Sequence, residues 1–158
     1  MSERVETIRD ESAPAAWGAA PEAQFDQQPE IKVLYTREAE TRMALDYALR
    51  LAAGLNSRVA LVVLQVVPRP LPPESSPVSL EFIKGRVERL TARAEGEIEA
   101  RIYLCRDMLA ALPRVFSRSD LILLGGADGW FRRTDKRLGR ELERLGYNVL
   151  HVPSEPRT

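Results

Sequence analysis

The stretch Asp120-Leu-Ile-Leu-Leu-Gly-Gly-Ala-Asp-Gly129 runs an apolar segment straight into the glycines Gly125, Gly126 and Gly129. Glycine has no side chain, so its backbone amide can come close to a phosphate oxygen and its φ can be positive; a helix starting just after such a turn adds a favourable field for negative charge. The same three glycines serve equally well to let a strand turn tightly into a helix, and both readings stay open. Nine residues separate Gly129 from Gly139, which is followed by Arg140. Around them Arg132, Arg133, Lys136, Arg137, Arg140 and Arg144 form a cationic run. This run reads either as a rim that attracts anions or as a solvated helix face balanced by Glu141 and Glu143; Arg144 is assigned to the solvated face. Thr134 suits a helix N-cap and could instead offer its hydroxyl to a phosphate. Trp130 and Phe131 are read as packing at the sheet end rather than as a cap on a ligand.

Other reactive side chains give little to build on. Asp128 is the only carboxylate in the glycine turn, whereas a nucleotide hydrolase needs a metal carboxylate or a general base in its cleft. Cys105 has only Arg106 as a basic neighbour and reads as a small apolar residue. His151 reads as structural. One cysteine and one histidine cannot build a metal cluster or an internal disulfide. Catalysis is not expected, and no catalytic or metal-binding residue is assigned.

The whole chain sets the frame for these positions. Its 158 residues suffice for one domain with a real core. Lysine plus arginine equals aspartate plus glutamate at 23 each, so net charge draws it neither to nucleic acid nor to an anionic membrane. The first twelve residues carry charges where a signal peptide needs an apolar stretch, and no run reaches membrane-span length. A reducing, cytoplasmic setting is expected. Residues 1–30 mix charge, alanine, proline and glutamine without periodicity, and are expected to form a loosely attached tail; residues 154–158 form a second, shorter one.

Between them, residues 31–153 alternate in type. Ile31 to Tyr35 is an expected strand. Glu38 to Leu55 is a helix with Leu45, Ala48, Leu49 and Ala52 on one face, and Gly54 suits its end. Val59 to Val67 is nearly continuously apolar and β-branched, as a strand covered on both faces must be. Pro68, Pro70, Pro72, Pro73 and Pro77 make the next segment a crossover loop. A helix over Leu80 to Ala94, a strand over Glu97 to Leu104 and a helix over Asp107 to Ser117 follow; Pro113 must kink this last helix or sit in its first turn. The strand Leu121 to Leu124, a helix over Thr134 to Leu145 and the strand Asn148 to Val152 close the series. This order predicts an α/β fold, a five-stranded mainly parallel sheet with helices on both faces. Ligands of such sheets bind at the strands' carboxyl ends where strand order reverses.

In its last third the chain resembles the universal stress protein family. There an aspartate-led apolar strand precedes Gly-x-x-Gly, nine residues, and a glycine followed by serine or threonine, and Gly126-Ala-Asp-Gly129 with Gly139 reproduces that spacing. Ala44 to Leu49 resembles the family's first helix, and the likeness of element order covers about Ile31 to Val152. The resemblance implies an adenine-nucleotide-binding type of fold, with Leu34, Thr36, Gln65 and Val66 at strand ends near a nucleotide, and Gly125, Gly126, Gly129, Thr134 and Arg140 around its phosphates. It also implies a homodimer through the terminal strand Asn148 to Val152.

Three departures weaken the expectation of ATP. Thr36 stands where nucleotide-binding members place an aspartate. Arg140 stands where they place a hydroxyl, and it substitutes electrostatically but not isosterically. Counting back from the last strand puts Gly139 inside the final helix, with Thr134 or Asp135 at its start, and makes Gly125 the first glycine of the motif. The leading expectation is a dimeric binding or signalling module with weak or lost ATP binding and open to protein partners. Next comes a functional binder of ATP or another adenine nucleotide, then a nucleotide hydrolase. A nucleic-acid binder ranks last, because the basic run lacks aromatic stacking positions on strands.

Overall fold

A computed structural model describes residues 5–9, 29–67, 79–94, 96–126 and 133–153. The elements are β1 (Val5–Arg9), β2 (Glu30–Leu34), α1 (Glu38–Leu55), β3 (Arg58–Val66), α2 (Leu80–Ala92), β4 (Ile98–Cys105), α3 (Met108–Val115), β5 (Leu121–Gly125), α4 (Arg133–Arg144) and β6 (Asn148–Val152). They build one sheet in the order β1-β4-β3-β2-β5-β6, parallel at every pairing. The five expected strands are β2 to β6, and helices cover both faces.

Strand alternation sends successive side chains to opposite faces. Ile31, Val33, Leu61, Val63, Ala100, Ile102 and Leu123 meet α1 and α2 through Ala44, Leu45, Ala48, Ile83, Val87 and Leu90. Leu34, Val62, Tyr103, Ile122 and Leu124 meet α3 and α4 through Ala111, Leu112, Val115, Leu138 and Leu142. The alanines of α1 let that helix lie close to the sheet, and β3 and β5 run through the middle as near-continuous apolar segments.

The helix ends follow local chemistry. Ser79 caps α2 by accepting from the Phe82 amide at 3.2 Å, and Asp107 caps α3 by accepting from Leu109 and Ala110. Two expectations shift slightly. Helix α1 runs over the expected Glu38–Leu55, but its C-cap is Asn56, left-handed at φ 51°, rather than Gly54, because asparagine tolerates that conformation. Pro113 sits in the last turn of α3, where the helix stops two residues later and few bonds remain to be lost.

The expected tail needs a larger correction. Val5–Arg9 is a strand, paired in parallel with β4 from Val5↔Ala100 to Arg9↔Leu104, so the sheet has six strands. Val5, Thr7 and Ile8 are β-formers, and the open edge of β4 offers unpaired backbone groups that select them. Five residues in a charged window are too few to show a period. Glu30, also assigned to the tail, opens β2 and is held there by an ion pair with Arg101. Among the described residues no helix is long and apolar enough to cross a membrane.

Candidate functional site

Strand order reverses between β2 and β5: the chain leaves β2 toward β3 and β4 on one side, and returns to β5 and β6 on the other. The carboxyl ends of β2 and β5 therefore flank the crevice where a parallel sheet receives a ligand. Beyond β2, the Tyr35 amide donates to the Val62 carbonyl at 2.8 Å and the Thr36 amide to the Thr41 hydroxyl at 3.1 Å. Thr41, fully buried in the first turn of α1, thus fixes the bend from strand to helix. The Thr36 hydroxyl is shielded from water and has no hydrogen-bond partner among the described residues.

The other strand-end positions divide between packing and the crevice rim. Leu34 is buried in the core on the α3 and α4 face, so its side chain is committed to packing. Val66 is half-buried, with its carbonyl accepting from the Gln65 amide group at 3.2 Å. Next to it the Arg106 guanidinium donates to the Val67 carbonyl at 3.1 Å. Cys105 is buried, and its thiol donates to the Gln65 carbonyl at 3.8 Å.

Three of the described glycines have tasks of their own. A Cβ on Gly125 would stand 2.1 Å from the Glu40 carbonyl oxygen; the first turn of α1 crosses so close over the end of β5 that only glycine fits. Gly126 has φ 94°, and its amide donates to the Val152 carbonyl at 2.9 Å. Gly139 lies inside α4, where a Cβ would be 3.1 Å from the His151 ring and 3.2 Å from Leu124. It lets α4 press against β5 and β6, so the reading counted back from the last strand is the one that describes the fold. Gly129, Asp128, Trp130, Phe131 and Arg132 lie outside the described residues, as do Trp17 and the five prolines from Pro68 to Pro77.

Thr134 stands in the first turn of α4. Arg137 and Arg140 are exposed on that helix. Arg144 is hydrogen-bonded to Glu141 and holds that carboxyl below its ordinary range, with Arg137 adding to the effect. Glu143 meets His151 of β6 at 3.0 Å. The acidic residues of α4 thus answer part of the cationic run, as the solvated-face reading of Arg144 has it.

Two polar groupings were not anticipated. At the amino ends of the strands, Lys32 contacts Asp120 at 2.8 Å and the Val115 carbonyl at 2.9 Å, and Arg101 grips both Glu30 and Glu99. Their signal was present in the sequence as charges at alternate positions, 30 and 32, then 99 and 101. At the carboxyl end, Arg86 of α2 lies over the rings of Tyr35 and Phe82.

No protein-family model matches the chain, and no curated protein matches it. Among solved structures, it superposes on a macrolide-efflux protein from Streptococcus pneumoniae with a TM-score of 0.53 and 12% identity, over 99% of this chain and 60% of that one. It thus spans less than two thirds of that protein's length. Universal stress proteins are also among its structural neighbours. One, in complex with cAMP, gives a TM-score of 0.47 and 19% identity over 81% of this chain and all of that one. Another, from Burkholderia pseudomallei, gives 0.49 and 20% over 79% and 96%. What the chain has in common with known structures is its fold, a parallel α/β sheet layered between helices.

Proposed function

We propose that the chain is a universal stress protein-like binding and signalling module of the cytoplasm, dimeric, non-catalytic, and with ATP binding weak or lost. The observation that carries this reading is the Gly126 amide. It donates to the Val152 carbonyl at 2.9 Å, so the donor that a phosphate-binding turn would present at this glycine is already in use. Gly139, packed on His151 and Leu124, offers no second phosphate contact. Association in place of ligand binding is supported by β6, an edge strand on which Val149 and Leu150 remain partly exposed. An uncovered parallel edge is a site for pairing with another chain, and a second copy would form an isologous interface.

One observation favours the adenine-nucleotide reading. The Thr36 hydroxyl is shielded and unpartnered among the described residues, which supports a role in hydrogen-bonding a ribose hydroxyl. Calorimetric titration of the full chain with ATP and with cAMP separates the two readings. Affinity weaker than micromolar for both supports the module; micromolar or tighter affinity, about 8 kcal/mol of binding free energy or more, makes the protein a nucleotide binder. In that case Thr36→Val should weaken binding while the fold persists.

A further inference from the structure

Several arginines are answered by acids: Arg37 by Glu40, Arg42 by Glu38, Arg101 by Glu30 and Glu99, Arg144 by Glu141. Arg86 is different. Its guanidinium lies 5.5 Å from the centre of the Phe82 ring and 6.0 Å from that of Tyr35, and it has no carboxylate or carbonyl partner among the described residues. An arginine held over aromatic rings by cation–π attraction keeps its N–H groups available to an oxyanion.

Beneath it, the Tyr35 hydroxyl is shielded from water without a hydrogen-bond partner among the described residues. Burial holds this phenol above its ordinary range even though Arg86 and Arg89 pull it down, so it remains a proton donor at neutral pH. Glu38, the acid that also acts on it, is hydrogen-bonded to Arg42 at 3.1 Å. The outer ring, Phe82, is 54% exposed and can turn aside without opening the core.

We propose that Arg86, Arg89 and the Tyr35 hydroxyl form a site for a phosphate-type oxyanion on the α1 and α2 face, apart from the glycine turn. Arg86 supplies two parallel N–H donors, Tyr35 a third donor, and Arg89 a second positive charge. A tetrahedral oxyanion is the acceptor that these donors lack. Arg86 and Arg89 stand on α2, outside the crevice between β2 and β5, and only Tyr35 borders it at the end of β2, so the Arg86 variants test the proposal apart from the fate of ATP binding there.

The test is titration of the full chain with inorganic phosphate, followed by calorimetry and by the side-chain NMR resonances of Arg86. Phosphate should bind, and Arg86→Gln and Arg86→Lys should each weaken it by about tenfold or more, the loss of one charge-assisted bidentate pair. Tyr35→Phe should weaken it less. Arg50→Gln removes an arginine that lies over the exposed Tyr47 ring alone, at 5.9 Å, and should leave binding unchanged. Thermal melts verify that each variant is folded. AMP in place of phosphate identifies the source: tighter binding, equally lost in Arg86→Gln, assigns the oxyanion to a nucleotide, and equal affinity assigns it to free phosphate. Absence of phosphate binding by the wild type, or unchanged affinity in the folded Arg86→Gln variant, overturns the proposal.

Discussion

Arg101 of β4 grips Glu30 of β2 through two N–H···O bonds, 2.9 and 3.0 Å, that reach across β3, which lies between them. The crossing is open because the β3 residue on that face is Ala60, paired with Lys32 on one side and Glu99 on the other. A methyl group leaves headroom for a guanidinium.

Arg101→Met should therefore cost about 3 kcal/mol, because it strips Glu99 of its guanidinium partner and leaves Glu30 only the more distant Lys32, at 3.9 Å. Ala60→Leu should cost about 1–3 kcal/mol by filling the crossing. Urea denaturation at unchanged m-value measures both, and a combined variant losing clearly less than the two single losses summed would place them in one network.

The glycines should respond to alanine in opposite directions. Gly125→Ala forces a Cβ against the Glu40 carbonyl and should cost about 2–3 kcal/mol or more, with α1 displaced. Gly54→Ala, in α1 with open space around it, should stabilise by about 0.5–1 kcal/mol. Melting temperatures of the two variants give the signs directly.

Tyr35 provides a pH test. Burial raises its phenol above the ordinary value near 10, so the folded state holds that proton longer than the unfolded chain. The resulting stability is fully present below about pH 10 and is lost as pH rises toward the folded-state value. Tyr35→Phe should flatten this alkaline decline in urea midpoints. An unaltered slope in the variant would show that Tyr35 is not its source.

Assembly is tested at β6. Light scattering should report a dimer for the wild type, and Val149→Lys should make it monomeric by placing a charge in the apolar edge. A dimer indifferent to that charge would remove β6 as the interface.

Five strands and four helices were legible in the sequence because each carries a long apolar period or an unbroken β-branched run, as Val59 to Val67 does. β1 was not, since its five residues owe their conformation to the edge of β4. Thr36, Gly125 and Gly126 were found at the switch point because glycine and strand-end positions are visible in one dimension. Their tasks were not: the clash at Gly125 belongs to Glu40 and the partner of Gly126 belongs to Val152, contacts that only folding brings together. Arg86 escaped notice because Tyr35 lies about fifty residues away, and stacking leaves no periodic trace.

The pairing of β1 with β4 also bears on how the protein is made. Residues 5–9 leave the ribosome well before the strand that receives them, which ends at Cys105. Until β4 has been placed beside β3 the β1 segment has no berth, and its docking must wait. An element made before its partner is thus bound to be among the later ones to find its seat, and a ribosome stalled between β3 and β4 would hold a nascent chain whose β1 segment is still open to proteases and chaperones.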